Sequence, residues 1–171
     1  MTPTTQLAID DDLDYELVDG VMEVKMCGAR HGEIGAKITV KLGIYLEDNP
    51  IGKLYNAKTT FQIGSNGRMP DVAFVSAERI PEEGSPSGKW EIAPDIAIEV
   101  ISPNEVWDKV NHKVREYFAA DVQQVWLISQ QEQEVIVYDS PARIRVMTAS
   151  DDLTSKSLPG FKCKVADLFQ S

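Results

Sequence analysis

One short run, Ile96–Ile101, has a single carboxylate, Glu99, among five apolar side chains. A nearly continuous apolar run of this length is typical of a strand that is buried on both faces of a sheet. A carboxylate in such a strand is costly to remove from water unless a cation or a hydrogen-bonding partner compensates it. The run therefore predicts a central strand whose acidic residue has a specific partner.

The rest of the chain predicts alternating groups of strands and helices. Asp19-Gly20 lies between two strand-like segments and indicates an N-terminal β-hairpin. Apolar residues at helical spacing predict helices over His31–Asp48 and Val106–Ala120. The extended segments are Tyr15–Val18, Val21–Met26, Lys53–Ile63, Val72–Val75, Val125–Ile128, Val135–Tyr138 and Arg143–Thr148. This order predicts an α/β or α+β fold with a mixed sheet, and the length predicts a single domain over residues 1–171.

Asp71 is a second carboxylate next to an apolar strand, because it follows Pro70 and leads into Val72–Val75. Asp71 and Glu99 on adjacent strands could share one oxygen-rich site, which is the chemistry that Mg²⁺ prefers. The alternative is a structural ion pair, for instance with Arg68.

Lys113 is the basic residue best placed to join such a site. On a helical wheel it lies at the edge of the apolar stripe of the second predicted helix, whereas Lys109 lies further toward solvent. A lysine can orient a nucleophile and stabilise charge that develops on a phosphate. The alternative is a surface lysine paired with Glu116 or Glu105.

These residues stand in an order that resembles the Uma2 family of endonucleases. The resemblance extends over nearly the whole chain, and each matching segment is short. The segments are Tyr15–Gly20, His31, Arg68–Val75, Pro94–Pro103, Lys113–Tyr117, Val125–Ile128, Leu158–Phe161 and Asp167–Phe169.

The resemblance implies a restriction-endonuclease-like core, a central mixed sheet flanked by helices, with a divalent-metal site. Asp71 matches the motif aspartate and Glu99 the motif acid of the PD-(D/E)xK pattern. The usual motif lysine lies two residues after the acid, where this chain has Ile101, and Lys113 occupies the matching place in the following helix. Glu16 matches an early glutamate of the family that would complete the site.

Two further positions bear on the resemblance. His31 matches the family at the start of the first helix, where it would contact a phosphate or act as a base, or be a helix residue with no such task. Ser129 stands where the family often has an aspartate, so that role is not carried over.

The expected function is a Mg²⁺- or Mn²⁺-dependent endonuclease acting on DNA in the cytoplasm, with no membrane span. A homodimer would suit cleavage of both strands of a duplex. The net charge of −10 opposes binding to a polyanion, so a non-catalytic binding or assembly module that keeps the fold is the alternative. A hydrolase of a smaller phosphoester is a third. Cys27 and Cys163 have no neighbouring Cys or His at metal-ligand spacing, and we expect ordinary thiols of a reducing cytosol.

Overall fold

A computed structural model describes residues 13–170 as three sheets and two helices. The helices are α1 (Ala29–Asp48) and α2 (Trp107–Ala119). The strands are β1 (Asp14–Val18), β2 (Val21–Lys25), β3 (Gly52–Asn56), β4 (Phe61–Ile63), β5 (Asn66–Arg68), β6 (Val72–Ser76), β7 (Ile96–Ile101), β8 (Gln124–Ser129), β9 (Glu134–Ser140), β10 (Arg143–Met147), β11 (Asp152–Ser155) and β12 (Leu158–Lys164). Short 3₁₀ turns cover Ala77–Arg79 and Val165–Leu168.

The central sheet has six strands in the order β10-β9-β8-β7-β6-β3. Strands β7 and β8 are parallel and the other neighbouring pairs are antiparallel, so the sheet is mixed. Parallel neighbours need a long crossover, which α2 supplies between β7 and β8. The sequence prediction of a mixed sheet flanked by helices is confirmed.

The two faces of β7 meet different helices. Ile96, Ile98 and Val100 belong to the core that contains the buried residues of α1. Ala97 belongs to the core that contains the buried residues of α2. Because side chains alternate along a strand, Glu99 faces α2. The carboxylate therefore lies within the part of the fold where a helix can supply its partners.

The β1–β2 hairpin belongs to a separate four-stranded sheet of order β2-β1-β5-β4. Asp19 and Gly20 form its turn with φ of 49° and 81°, as an Asn-Gly-like primed turn requires. Strand β5 pairs with β1 at Gly67↔Leu17 and leads within three residues to Asp71. This short connection brings the hairpin to the beginning of β6.

Three details differ from the sequence prediction. Helix α1 begins two residues earlier than predicted, at Ala29. The Lys53–Ile63 segment is two strands, because Asn56 forms a turn in which its carbonyl accepts from the Thr59 N–H at 3.0 Å. Strands β5, β11 and β12 are absent from the prediction. No helix within residues 13–170 is long and apolar enough to cross a membrane.

Candidate functional site

A cleft opens between the hairpin, the beginning of α1 and the exposed edge of α2. Strands β1, β2 and β5, both helices and the loop after β7 supply its polar wall. The lining residues include Glu16, Lys25, His31, Arg68, Ser102 and Lys113.

Glu99 is buried, with only 6% of its surface exposed, and contacts Lys113 of the cleft wall. Lys113 Nζ lies 2.8 Å from Glu99 Oε1, and the Tyr117 hydroxyl donates to the same oxygen at 2.6 Å. Lys113 and Tyr117 are one helical turn apart on α2, so both reach β7 from the same side. Burial raises the pKa of Glu99, while the Lys113 and Lys25 ammonium groups oppose that shift.

Asp71 lies at the entrance to β6 and has three partners. Lys25 Nζ is 2.9 Å from Oδ1, His31 Nε2 is 2.8 Å from Oδ2, and the Val100 N–H donates to Oδ2 at 2.7 Å. Burial acts to raise the pKa of Asp71, but His31, Lys25 and the Val100 N–H together hold that pKa well below its usual range. Asp71 is therefore a carboxylate that the fold keeps ionised.

Glu16 on β1 contacts residues of β5, of the segment that follows β5, and of α2. Its Oε1 accepts from the Met69 N–H at 2.7 Å and lies 3.4 Å from Lys113 Nζ. Its Oε2 accepts from Arg68 at 3.2 Å. Burial acts to raise the pKa of Glu16, but Lys113, the Met69 N–H, Lys25 and Arg68 lower it. Lys113 is thus shared between Glu16 and Glu99.

Arg68 on β5 is a second residue that contacts both the hairpin and α2. Its guanidinium contacts Glu116 on α2 as well as Glu16, with Nε donating to Glu116 Oε2 at 3.1 Å. The Asn66 side-chain amide donates to the other oxygen of Glu116. The hairpin sheet is therefore tied to α2 by charged hydrogen bonds.

Of the five residues singled out in the sequence, Glu16, His31 and Lys113 line this cleft. Asp71 contacts His31 and Glu99 contacts Lys113, so both adjoin the cleft wall. Among the described contacts, Lys113 pairs with Glu99 and Glu16 rather than with Glu116 or Glu105. Arg68 likewise pairs with Glu16 and Glu116 rather than with Asp71 or Glu99. The catalytic and metal-binding roles of the five residues stay predictions.

Sequence reasoning missed Lys25 and Tyr117. Lys25 ends a strand that is otherwise exposed, so its apolar neighbours give no signal of a buried site. Burial acts to lower the pKa of Lys25, but the charges of Glu99 and Asp71 raise it, so this ammonium serves both carboxylates. Tyr117 belongs to the apolar stripe of the predicted helix, and its buried hydroxyl is what connects that stripe to Glu99.

The donor set of the cleft fits a divalent cation. Carboxylate oxygens are the ligands that Mg²⁺ prefers. Asp71 Oδ1 is buried and completes no hydrogen bond of normal geometry within the described residues, although the Lys25 ammonium is close to it. An ammonium placed between Asp71 and Glu99 marks a position where the fold favours positive charge.

Comparison with known proteins agrees with this architecture. The model of the Uma2 family, described as "putative restriction endonuclease", matches residues 4–166. A crystal structure of "a putative nuclease belonging to DUF820" from Anabaena variabilis ATCC 29413 superposes with a TM-score of 0.80 at 24% sequence identity, covering 91% of this chain and 89% of that one. No functionally curated protein matches this chain. The family match covers most of the sequence, and the chain therefore belongs to the Uma2 family.

Proposed function

We propose that this chain is a metal-dependent endonuclease that hydrolyses phosphodiester bonds in DNA. The observation that carries the proposal is a group of three buried carboxylates, of which Glu16 lines an open cleft while Asp71 and Glu99 contact the cleft-lining lysines Lys25 and Lys113. Buried charges are expensive, so a cluster that is open to solvent on one side points to function rather than to stability alone. Membership of the Uma2 family supports the same reaction class.

In this proposal Asp71 and Glu99 hold the ion, which is Mg²⁺ or Mn²⁺. When bound, the ion would lower the pKa of a water molecule and neutralise charge on the phosphate. Asp71 is suited to this task because its lowered pKa keeps it ionised at neutral pH. Glu99 is suited because its Oε1 is oriented by Tyr117 and Lys113.

Lys113 positions the attacking water or stabilises the charge that develops on the phosphate oxygens. Burial acts to lower its pKa, but Glu99 and Glu16 raise that pKa above the ordinary value. The lysine therefore stays protonated and acts as an electrostatic catalyst rather than as a general base. Glu16 orients it from the hairpin side, and His31 contacts the phosphate from the beginning of α1.

The polyanionic substrate has to approach a protein of net charge −10. Lys25, Arg68 and Lys113 bring positive charge to the wall of the cleft, where a bound divalent cation would add to it. We propose that a single domain over residues 1–171 carries this activity in the cytoplasm. A homodimer would present one such site to each strand of a duplex.

The net charge also favours a second candidate, a binding or assembly module that keeps the fold without nuclease activity. The two functions differ in how DNA retention responds to divalent cations. A nuclease retains a DNA duplex at low salt only when a divalent cation is present, and a module of this kind does not retain DNA in either condition. Retention on immobilised DNA with Ca²⁺, which limits cleavage during the measurement, separates them.

Direct measurement of ion binding tests the proposed site. Isothermal titration with Mn²⁺ is compared between the wild type and the double variant Asp71→Asn, Glu99→Gln. A Glu83→Gln variant is the matched control, because Glu83 is an exposed residue of a loop. We expect the double variant to lose Mn²⁺ binding and the control to keep it. Equal affinity in all three proteins would contradict the assignment.

A further inference from the structure

Cys27 lies beside the candidate site although the sequence gives it no apparent role. The loop between β2 and α1 places its thiol close to His31 and Asp71. One ligand atom from each of the three residues lies within 4.8 Å of the other two. The expectation that Cys27 is an ordinary thiol rested on the lack of a His nearby in the sequence, yet His31 is four residues away, at the beginning of α1.

Two of the three ligand groups are buried and lack a complete set of hydrogen bonds. His31 and Asp71 are 8% and 6% exposed. His31 Nε2 lies 2.8 Å from Asp71 Oδ2 and Lys25 Nζ lies 2.9 Å from Asp71 Oδ1, but neither His31 Nε2 nor Asp71 Oδ1 completes a hydrogen bond of normal geometry among residues 13–170. Buried polar atoms rarely lack a partner in folded proteins, and a bound ion is one way in which such atoms are satisfied. His31 Nε2 and the Asp71 carboxylate thus face each other at short distance without a hydrogen bond of normal geometry, as two ligands of one ion do, independently of the position of the thiol.

The outer partners of these groups are those of a metal site. His31 Nδ1 lies 3.3 Å from Ser102 Oγ, and a proton shared between them on Nδ1 leaves Nε2 free as a ligand. Asp71 Oδ2 is fixed by the Val100 N–H at 2.7 Å. Histidine ligands commonly have such a partner on their second nitrogen, because it holds both the tautomer and the ring orientation.

We propose that Cys27 Sγ, His31 Nε2 and the Asp71 carboxylate form a site for Zn²⁺, distinct in its chemistry from the oxygen-ligand site for Mg²⁺ or Mn²⁺. A thiolate, an imidazole and a carboxylate are the ligands that Zn²⁺ takes, and Mg²⁺ does not bind thiolates in preference to oxygen. Three protein ligands leave a fourth position open, as in zinc sites that bind water or substrate. The exposed Cys27 gives the ion a path from solvent.

The two sites share Asp71, so occupation by Zn²⁺ would withdraw a ligand from the proposed Mg²⁺ site. Zn²⁺ would thereby act as an inhibitor of the proposed nuclease. The zinc site itself does not depend on nuclease activity, because its evidence is the geometry of Cys27, His31 and Asp71. Its test consequently uses a spectroscopic signal that reports the thiolate ligand alone.

Titration of the full chain with Co²⁺, a spectroscopic substitute for Zn²⁺, tests the proposal. Coordination by a thiolate gives a sulfur-to-cobalt charge-transfer band in the near ultraviolet. Cys27→Ser is the decisive variant, since an exposed residue is changed by one atom and folding is not at risk. Cys163→Ser is the matched control, because Cys163 lies in the core on the α1 face of the sheet.

We expect the wild type and Cys163→Ser to give the charge-transfer band and Cys27→Ser to lose it. Titration with Zn²⁺ should show an affinity at least about tenfold lower in Cys27→Ser and in His31→Gln. Loss of a residue that only hydrogen-bonds to a metal ligand already lowers metal affinity by about tenfold, and loss of the ligand itself should cost at least as much. A band that is absent from the wild type, or that persists in Cys27→Ser, would overturn the site. If Cys27→Ser loses the charge-transfer band but keeps its Mn²⁺ affinity, the thiol belongs to the zinc site and is not a ligand of the proposed Mg²⁺ or Mn²⁺ site.

Discussion

Lys113 Nζ lies 2.8 Å from Glu99 Oε1, and this contact joins α2 to the central strand β7. The same ammonium lies 3.4 Å from Glu16 on the hairpin. One lysine thus links three elements that are far apart in the sequence, and its charge balances two buried carboxylates. The stability of the site and its proposed chemistry both depend on this link.

Tyr117→Phe tests the hydrogen bond that orients Glu99. The hydroxyl donates to a buried carboxylate at 2.6 Å, and hydrogen bonds to charged groups contribute about 1.5–3 kcal/mol. We expect the free energy of unfolding, measured with urea, to fall by about that amount. Tyr45→Phe is the control, because the Tyr45 hydroxyl donates to a carbonyl in an exposed position, and it should cost about 1 kcal/mol or less. Equal losses in the two variants would contradict the special role of Tyr117.

Arg68→Met tests the ion pairs through which Arg68 links the hairpin to α2. Removing this buried guanidinium takes away the cationic partner that Glu16 and Glu116 share, and breaking a buried ion pair costs about 3–5 kcal/mol. Lys162→Met is the control, because Lys162 is 65% exposed in its pair with Asp152 and such pairs contribute about 0–1 kcal/mol. Urea unfolding of both variants measures the difference. If the free energy of unfolding falls by less than about 1 kcal/mol in Arg68→Met, the ion pairs of Arg68 do not stabilise the fold.

Asp71→Asn tests the prediction that Asp71 is held ionised. The pKa of Asp71 in the folded protein lies below its ordinary value of 3.8, so its stabilising effect is present above pH 4 and is lost as the pH falls toward the folded pKa. We expect the wild type to lose stability relative to the variant between about pH 5 and pH 2. Urea midpoints measured across this range give the result. A difference between the two proteins that does not change with pH would contradict the lowered pKa.

Lys25→Met tests whether this ammonium competes with a metal ion. Two like charges about 4 Å apart repel by a few kcal/mol at the effective dielectric of a protein. Removing Lys25 from Asp71 should therefore raise the affinity for Mn²⁺ by about tenfold or more, as measured by titration calorimetry. Lys53→Met, on the exposed side of β3, is the control and should leave the affinity unchanged. Weaker binding by Lys25→Met would mean that Lys25 supports the ion rather than competing with it.

The sequence singled out two carboxylates, Asp71 and Glu99, which the structure places against Lys25 and Lys113. Glu99 and Asp71 could be found because a carboxylate beside a buried apolar strand is costly unless it has a partner. Lys113 could be found because helical spacing places it at the edge of the apolar stripe. In the structure Asp71 leads into β6 and Glu99 lies on the neighbouring strand β7, where it contacts Lys113 of the cleft wall.

The remaining features depend on contacts that no local pattern contains. Lys25 reaches Asp71 only because β5, which pairs with the hairpin, leads directly to the beginning of β6. Strands β11 and β12 form a sheet of their own, and their pairing with each other and packing under α1 define them more than their own residues do. The thiol of Cys27 lies near the site because of the loop before α1, whose path is set by the hairpin on one side and the helix on the other.

The central claim is that Lys113 and Glu99 serve phosphodiester hydrolysis. Cleavage of supercoiled plasmid by purified protein, with Mg²⁺, Mn²⁺ or EDTA, tests it most directly beside Lys113→Ala and Glu99→Gln. Arg115→Ala is the control, because Arg115 is an exposed residue of the same helix. We expect metal-dependent nicking by the wild type and the control, reduced about 100-fold or more in the other two. Nicking that survives in both Lys113→Ala and Glu99→Gln, or no cleavage by the wild type with any metal, would contradict the claim.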